Sequence, residues 1–221
     1  MRPLIILRPE PGAGRTGQRA AQMGLTTGLC PLFEGRALDW QAPSPDRFDA
    51  LLITSAQTVR LAGPQLDLYR ALPAYAVGQA TAGAMAAGFS AVIAGETDGT
   101  AIAARIAADG HRSVFLPGGA DTAQIEAGPL TLHRIAVYAM VETDAAGLDA
   151  LVRKEAVLMV HSPRAGRRLA ALVSQERRRR LHIVAISAAA QAACGGGWAS
   201  VQAVERPEDE RMLALARRLC E

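Results

Sequence analysis

Apolar residues along the chain fall into short runs, each closed by a small or polar residue and followed by residues at helical spacing. The clearest run is Ala50-Leu51-Leu52-Ile53, which leads straight into Thr54-Ser55. An unbroken apolar run of this length predicts a strand buried on both faces of a parallel sheet. Ser55 stands at an N-cap position, and Ala56, Val59 and Leu61 follow as a short helix would place them. The strand's carboxyl end and the helix's amino end therefore meet at Thr54 to Gln57. In an open α/β sheet ligands bind at such a junction, where free backbone N–H groups and the helix dipole face outward. Ala156 to Arg168 repeats the order: an apolar run, His161-Ser162, a proline suited to the first helical turn, then a helix.

The remaining pattern alternates in the same way. Strands are expected at Leu4–Leu7, Leu29–Phe33, Tyr75–Val77, Ala91–Ala94, Val114–Leu116, Ile135–Val141, Ile183–Ile186 and Ser200–Ala203. Helices are expected from Arg15 to Met23 (closed by Gly24), Thr81 to Ala87 (closed by Gly88) and Thr100 to Ala108, and at about 164–174, 188–194 and 208–219. Pro117-Gly118-Gly119-Ala120 reads as a turn opening a helical stretch toward Gly128. Residues 35–47 read as a linker or long loop. Strand and helix in alternation, without hairpin signals, predict parallel α/β architecture.

The order restarts near Ser113. Leu7 and Leu116, Thr54 and His161, and Val77 and Ile186 are 109, 107 and 109 positions apart. In the last register Gly88 matches Gly197, Phe89 matches Trp198, Val92 matches Val201 and Glu96 matches Glu205. This reads as an internal duplication of about 108 residues, each copy large enough for its own core.

Composition narrows the function classes. Half of the 221 residues are hydrophobic, a fifth are charged and 4% are aromatic, so packing must rest on aliphatic strands and closely approaching helices. A net charge of +3 suits an anionic ligand but lacks the basic face of a nucleic-acid binder. Arg177 to Arg180 reads as the solvated end of a helix. Cys30, Cys194 and Cys220 form no CxxC, which argues against disulfides and a zinc site and fits a reducing cytosol. The first apolar run is too short for a signal or membrane segment, so a cytoplasmic chain without membrane contact is expected.

Among motifs, Gly12-Ala13-Gly14-Arg15-Thr16-Gly17 is a literal GxGxxG, with Glu34 at the distance of a ribose-binding acid. The dinucleotide motif needs its first glycine at the strand's end, whereas Arg8-Pro9-Glu10-Pro11 intervenes here. A nicotinamide enzyme is therefore the weaker reading. The four histidines have no metal-like spacing. His161 alone lies at a junction, and it reads as a junction residue without a proton-transfer role. Asp98 and Asp121 read as N-caps. Tyr138, in an apolar run, reads on its own as a core tyrosine.

Together these segments resemble the uroporphyrinogen-III synthase family, almost end to end. Leu7-Arg8-Pro9 stands for its Thr-Arg-Pro, and Pro31-Leu32-Phe33-Glu34 for its Pro-Leu-x-Glu. Asp49 through Val59 is similar to its Asp-x-hydrophobic-Thr-Ser-x-Asn-x-Val, with Gln57 in the amide position. Val77-Gly78 and Thr81-Ala82 fit Val-Gly-x-x-Thr-Ala, Tyr138 falls on the return-strand tyrosine, and Ser162-Pro163 falls on the Ser-Pro before a helix. Leu7, Pro117, Ala139, Ser187 and Ala190 depart from the family pattern.

The resemblance implies two similar flavodoxin-like parallel-sheet domains joined by a two-stranded crossover, with a cleft between them. One domain would combine 1–34 with 140–221 and the other would span 37–136, hinged near 34–38 and 136–140. The implied reaction closes hydroxymethylbilane into uroporphyrinogen III, inverting ring D and losing water, with no metal or organic cofactor. Tyr138 is the expected proton donor to the departing hydroxyl. Substrate carboxylates are expected at Arg8, Ser55, Gln57, Gly78, Thr81, Gly118, Gly119, Ala120, Ser162, Arg164, Ser187 and Ala188. A monomer acting on a small molecule is expected. The alternative is a non-catalytic two-lobed protein that binds a small anion.

Overall fold

Ala50, Leu51, Leu52 and Ile53 are fully buried, as a strand covered on both faces requires. The computed structural model describes residues 1–89, 91–95 and 98–221; Glu96, paired with Glu205 in the repeat, lies outside the described residues. In chain order the elements are β1 (Leu4–Ile6), α1 (Gly12–Gln22), β2 (Thr27–Leu29), β3 (Phe33–Ala37), β4 (Ala50–Ile53), α2 (Ala56–Leu61), β5 (Ala74–Val77), α3 (Gln79–Met85), β6 (Val92–Gly95) and α4 (Gly99–Ala108). They continue as β7 (Ser113–Gly119), β8 (Thr131–Glu142), α5 (Leu148–Leu151), β9 (Ala156–Val160), α6 (Pro163–Leu172), α7 (Gln175–Arg178), β10 (Leu181–Ala185), α8 (Ala188–Ala193), β11 (Ser200–Ala203) and α9 (Asp209–Cys220). The chain divides into two units, Met1–Glu34 with Glu142–Glu221, and Gly35–Val141. It passes between them within β3 and returns within β8.

The first unit holds a sheet in the order β11-β10-β9-β1-β2, parallel at each pair. Connections run outward from β1 to β2 on one side and from β9 to β10 and β11 on the other. The topological switch therefore lies between β1 and β9, and ligands of doubly wound sheets bind outside the carboxyl ends at such a point. One face is covered by α1 and α9, whose Ala13, Ala20, Met212, Leu213 and Ala216 pack on Leu4, Ile6, Val157 and Met159.

The second unit holds the order β3-β8-β7-β4-β5-β6. Its switch lies between β4 and β7, which pair in parallel at Ala50 with Val114 and Leu51 with Phe115. Read as β6-β5-β4-β7-β8, this sheet repeats the winding of the first. Alternate residues of β4 face opposite sides, Leu51 and Ile53 toward one core and Ala50 and Leu52 toward another. The scarce aromatics gather in the first of these cores. Phe115 stacks on Tyr69 at 4.3 Å and on Phe48 at 5.1 Å, with Trp40 at 6.1 Å.

Helix contacts in the first unit rely on small residues. A Cβ at Gly166 in α6 would come within 3.0 Å of the Ala190 carbonyl oxygen and the Cys194 Sγ on α8. The neighbour on one side is backbone and cannot swing away. Gly166→Ala should therefore cost about 1–3 kcal/mol by overpacking, read as a lower urea midpoint. An unchanged midpoint would show that the two helices have slack.

Several expectations are corrected. The expected strand Leu29–Phe33 is interrupted: β2 ends at Leu29 and β3 begins at Phe33. Pro31, which has no N–H for a ladder, lies between them, although Cys30 and Leu32 still donate to Ile6 and Leu7. Part of the expected 35–47 loop is β3. No helix follows Ala120. Instead β7 runs on through Pro117, Gly118 and Gly119 beside β8, so Asp121 has no helix to cap. Pro117 is tolerated because β4 pairs with β7 only as far as Phe115, which leaves β8 as its partner. Helix α1 starts at Gly12, three residues before the expected Arg15, and ends as expected at Gly24, whose φ is 77°. There the Gly24 N–H donates to Ala21 and the Leu25 N–H to Ala20, a Schellman ending. Arg178, expected to be solvated, donates to the carbonyls of Val173, Ala170 and Gly196 and lies 5.0 Å over the Trp198 ring. It braces the α6–α7 turn.

Candidate active site

In the Gly35–Val141 unit a cavity of about 760 Å³ opens at the carboxyl end of the sheet. Thr54 at the end of β4 and Gly118 and Gly119 at the end of β7 line it, which places it at the switch point. Tyr138, Arg134, Asp98, Thr100 and Ala120 complete the polar and small part of the wall.

Tyr138 reaches the cavity through a bulge. Gly118 pairs with Ala136 but Gly119 pairs with Tyr138, so Val137 is the extra residue in β8. The irregularity leaves Val137 and Tyr138 both buried, where a regular strand would turn one of them outward. The ring rests against Gly119, where a Cβ would stand 3.0 Å from Cζ and 3.2 Å from the hydroxyl oxygen. Gly119 is thus the space that the phenol occupies. Among the described residues the hydroxyl has no hydrogen-bond partner, unlike those of Tyr69 and Tyr75, which donate to Pro43 and Asp109. A core tyrosine would have one.

Arg134, which the sequence reading passed over, is exposed at this wall and donates to Thr122 Oγ1 at 3.3 Å. It meets no carboxylate among the described residues. Its signal in the sequence was its position four residues before Tyr138 on the same strand, which is informative only once β8 is known to reach back to Thr131.

The other expected contacts of this unit divide. Ser55 caps α2 as expected, accepting from the Gln57 N–H at 3.2 Å, and the Gln57 side chain accepts from Arg60. The main-chain N–H of Gln57 is therefore spent inside the cap. Gly78, at φ 79°, starts α3, and the Thr81 N–H donates back to its carbonyl while Thr81 itself is buried. The Ala120 N–H, expected at a helix start, donates to the Tyr138 carbonyl at 2.8 Å. Gln57, Thr81 and Ala120 thus offer no main-chain donor. Ser55, Gln57, Gly78 and Thr81 do not line the cavity.

At the switch point of the first unit, Arg8 follows β1 and His161 follows β9. Both bind one carboxylate: Asp209 Oδ1 lies 3.2 Å from Arg8 Nη1 and 3.1 Å from His161 Nε2. The Thr16 hydroxyl donates to Asp209 Oδ2 at 2.9 Å, and Arg19 Nη1 lies 3.5 Å away. Burial works against the ionised carboxyl. The hydrogen bonds from His161 and Thr16 and the charge of Arg8 outweigh it and hold Asp209 below the usual carboxylate range. A group whose folded pKa is depressed contributes stability that is fully present above its unfolded value, about pH 4, and is lost as pH falls through the folded value. Replacing Asp209 by Asn should therefore flatten the fall of urea midpoint below about pH 4. Equal acid slopes in the two chains would mean that Asp209 titrates normally.

Ser162 and Ser187, expected as substrate contacts at helix starts, cap α6 and α8, accepting from the N–H groups of Ala165 and Ala190. Ala188 is the first residue of α8. Arg164 lies 4.6 Å over the Phe33 ring. The GAGRTG stretch is explained by packing. Gly12 leaves room for the Arg8 guanidinium, and Gly17 faces Leu29. The N–H groups of Ala13, Gly14 and Arg15 are taken by Pro9, Glu10 and Pro11. The two carbonyl partners and the Glu10 carboxylate leave the start of α1 few open donors, unlike the bare helix start that a pyrophosphate needs.

The three cysteines are buried, and burial pushes the Cys194 thiol up to about 11, so it is no nucleophile at neutral pH. Among the described residues no His, Cys, Asp and Glu side chains gather as metal ligands, and no helix is long and apolar enough to cross a membrane.

Comparison with known proteins agrees with this fold. No curated protein matches the chain. The crystal structure of uroporphyrinogen-III synthetase from Helicobacter pylori aligns at a TM-score of 0.70 and 18% identity, covering 99% of this chain and 100% of that one. A mutant uroporphyrinogen III synthase from the extremely thermophilic bacterium Thermus thermophilus aligns at 0.52 and 16% identity, covering 98% of each. At these identities the likeness establishes the fold. The family model for uroporphyrinogen-III synthase HemD matches residues 15–214, nearly the whole length. The chain belongs to the uroporphyrinogen-III synthase family.

Proposed function

We propose that the protein closes linear hydroxymethylbilane into uroporphyrinogen III, inverting ring D and releasing water. The family match spans both units, and one observation within the molecule carries the reading: Tyr138 is buried at a cavity wall with its hydroxyl unpartnered among the described residues. A phenol so placed has a proton to offer to the departing hydroxyl of the substrate. Arg134, at the same wall without a carboxylate partner among the described residues, suits one of the substrate's carboxylates. Gly118 leaves the backbone open to close approach there, while Gly119 makes room for the Tyr138 ring. In the other unit Arg8, the capped start of α6 at Ser162 with Arg164, and Ser187-Ala188 remain as carboxylate contacts.

Little covalent chemistry is asked of the protein. Binding folds the linear chain so that its terminal carbon meets the substituted position of ring D, and orientation of this kind supplies about 7–11 kcal/mol in favourable cases. The protein acts as a monomer in the cytoplasm. The test is to feed freshly made hydroxymethylbilane and separate isomers I and III. Spontaneous closure gives isomer I, so isomer III is the expected product. Isomer I alone would leave a binding protein.

A further inference from the structure

One carboxylate at the carboxyl edge of the first unit ties together groups from four segments of chain. Asp209 starts α9, Thr16 and Arg19 lie on α1, Arg8 follows β1 and His161 follows β9. The node is shielded, with Thr16 fully buried and the side chains of His161 and Asp209 only 11% and 16% exposed. Arg8 is more open, at 30%. Its Nη1 is engaged twice, with Asp209 Oδ1 at 3.2 Å and Thr16 Oγ1 at 3.4 Å. Its Nε and Nη2 have no partner among the described residues. They lie over Gly12, where a Cβ would come within 2.5 Å of Nε and 3.0 Å of Nη2. That free edge is the pair of N–H groups with which an arginine grips a carboxylate in two parallel bonds.

We propose that Asp209 is a positioning residue: together with Thr16 it holds Arg8 by Nη1, so that the Nε–Nη2 edge is presented to a substrate carboxylate. This rests on reading Arg8 as a substrate contact. An arginine held in advance gives up less side-chain freedom on binding than a loose one. The sign of the effect separates positioning from charge. Asp209 is itself negative, so as a mere charge it repels a polyanion and its removal would tighten binding. As a positioning residue its removal loosens binding.

The probe is uroporphyrin III, an octacarboxylate that needs no turnover, titrated by its fluorescence at about 0.5 M salt, where separated charges are screened. Asp209→Asn should raise Kd about tenfold, the loss of one hydrogen bond to a charged group. With Arg8 already replaced by Gln, the same substitution should change Kd less than about twofold, because the pair is coupled. A packing role for Asp209 would persist in that background. Thr16→Val, which keeps the side chain's shape, should weaken binding in the same direction and serves if Asp209→Asn does not fold. An unchanged or lower Kd in Asp209→Asn or Thr16→Val overturns the proposal, as does an equal effect with and without Arg8. The isomer assay on the unaltered chain stands apart. Isomer III with no Asp209 effect removes this inference alone, and a coupled Asp209 effect without isomer III removes the catalytic reading alone.

Discussion

Tyr138→Phe is expected to lower the rate of isomer III formation by about 10²–10⁴ while leaving the urea midpoint in place. The two halves of that result have separate causes. The hydroxyl meets no partner among the described residues, so removing it breaks no bond that holds the fold. The ring fills the space left by Gly119 and by the Val137 bulge, and phenylalanine fills it equally well. What disappears is the proton, or the hydrogen bond, offered to the leaving hydroxyl of the substrate. Initial rates with fresh hydroxymethylbilane, corrected for spontaneous closure to isomer I, give the measurement. A loss of only a few-fold would remove Tyr138 as general acid and leave positioning to carry the reaction.

The largest effect on stability should come from Phe115→Ala, at about 3–5 kcal/mol. Phe115 is fully buried and touches Tyr69, Phe48 and Trp40, so truncating it empties the centre of the aromatic core of the Gly35–Val141 unit. Flat stacked rings cannot collapse into the gap as aliphatic chains do, which argues for the upper part of the range. A loss of this size is a large share of the ~5–15 kcal/mol that holds a typical domain together. The chain has two tryptophans, Trp40 in this core and Trp198 in the other unit. In a Trp198→Phe background, Trp40 fluorescence follows the affected core alone during urea unfolding. A shift below about 1 kcal/mol would show that the core repacks, as loosely specified cores do.

The local readings that held are those in which neighbouring residues settle the outcome among themselves. Ala50–Ile53 and Ala156–Val160 are buried strands, Ser55 caps the helix behind the first, Asp98 caps α4, and Gly24 ends α1. Each depends on a side chain and a backbone group within a few positions, so sequence spacing is enough. The doubled winding was legible for the same reason, since each copy carries the same local signals in the same order. The readings that failed needed a distant partner. Pro117-Gly118-Gly119 has the chemistry of a turn, but β8 lies alongside and draws it into a strand. Arg178 looked solvated until the carbonyls of Ala170, Val173 and Gly196 came within its reach.

From the sequence alone came the parallel α/β class, the internal repeat and the junctions where ligands should meet the sheet, while Tyr138 was singled out only by the family resemblance. Periodicity, capping and motif order are properties of adjacent residues, and they survive without coordinates. Tertiary structure decided which of those junctions still have donors to offer, and which are spent on their own caps or on the next strand. It also decided that Arg134 shares a wall with Tyr138 and that Asp209 lies against Arg8, 201 positions earlier in the chain. A carboxylate's partners are set by where the sheet brings its strand ends, and no spacing within a segment encodes that.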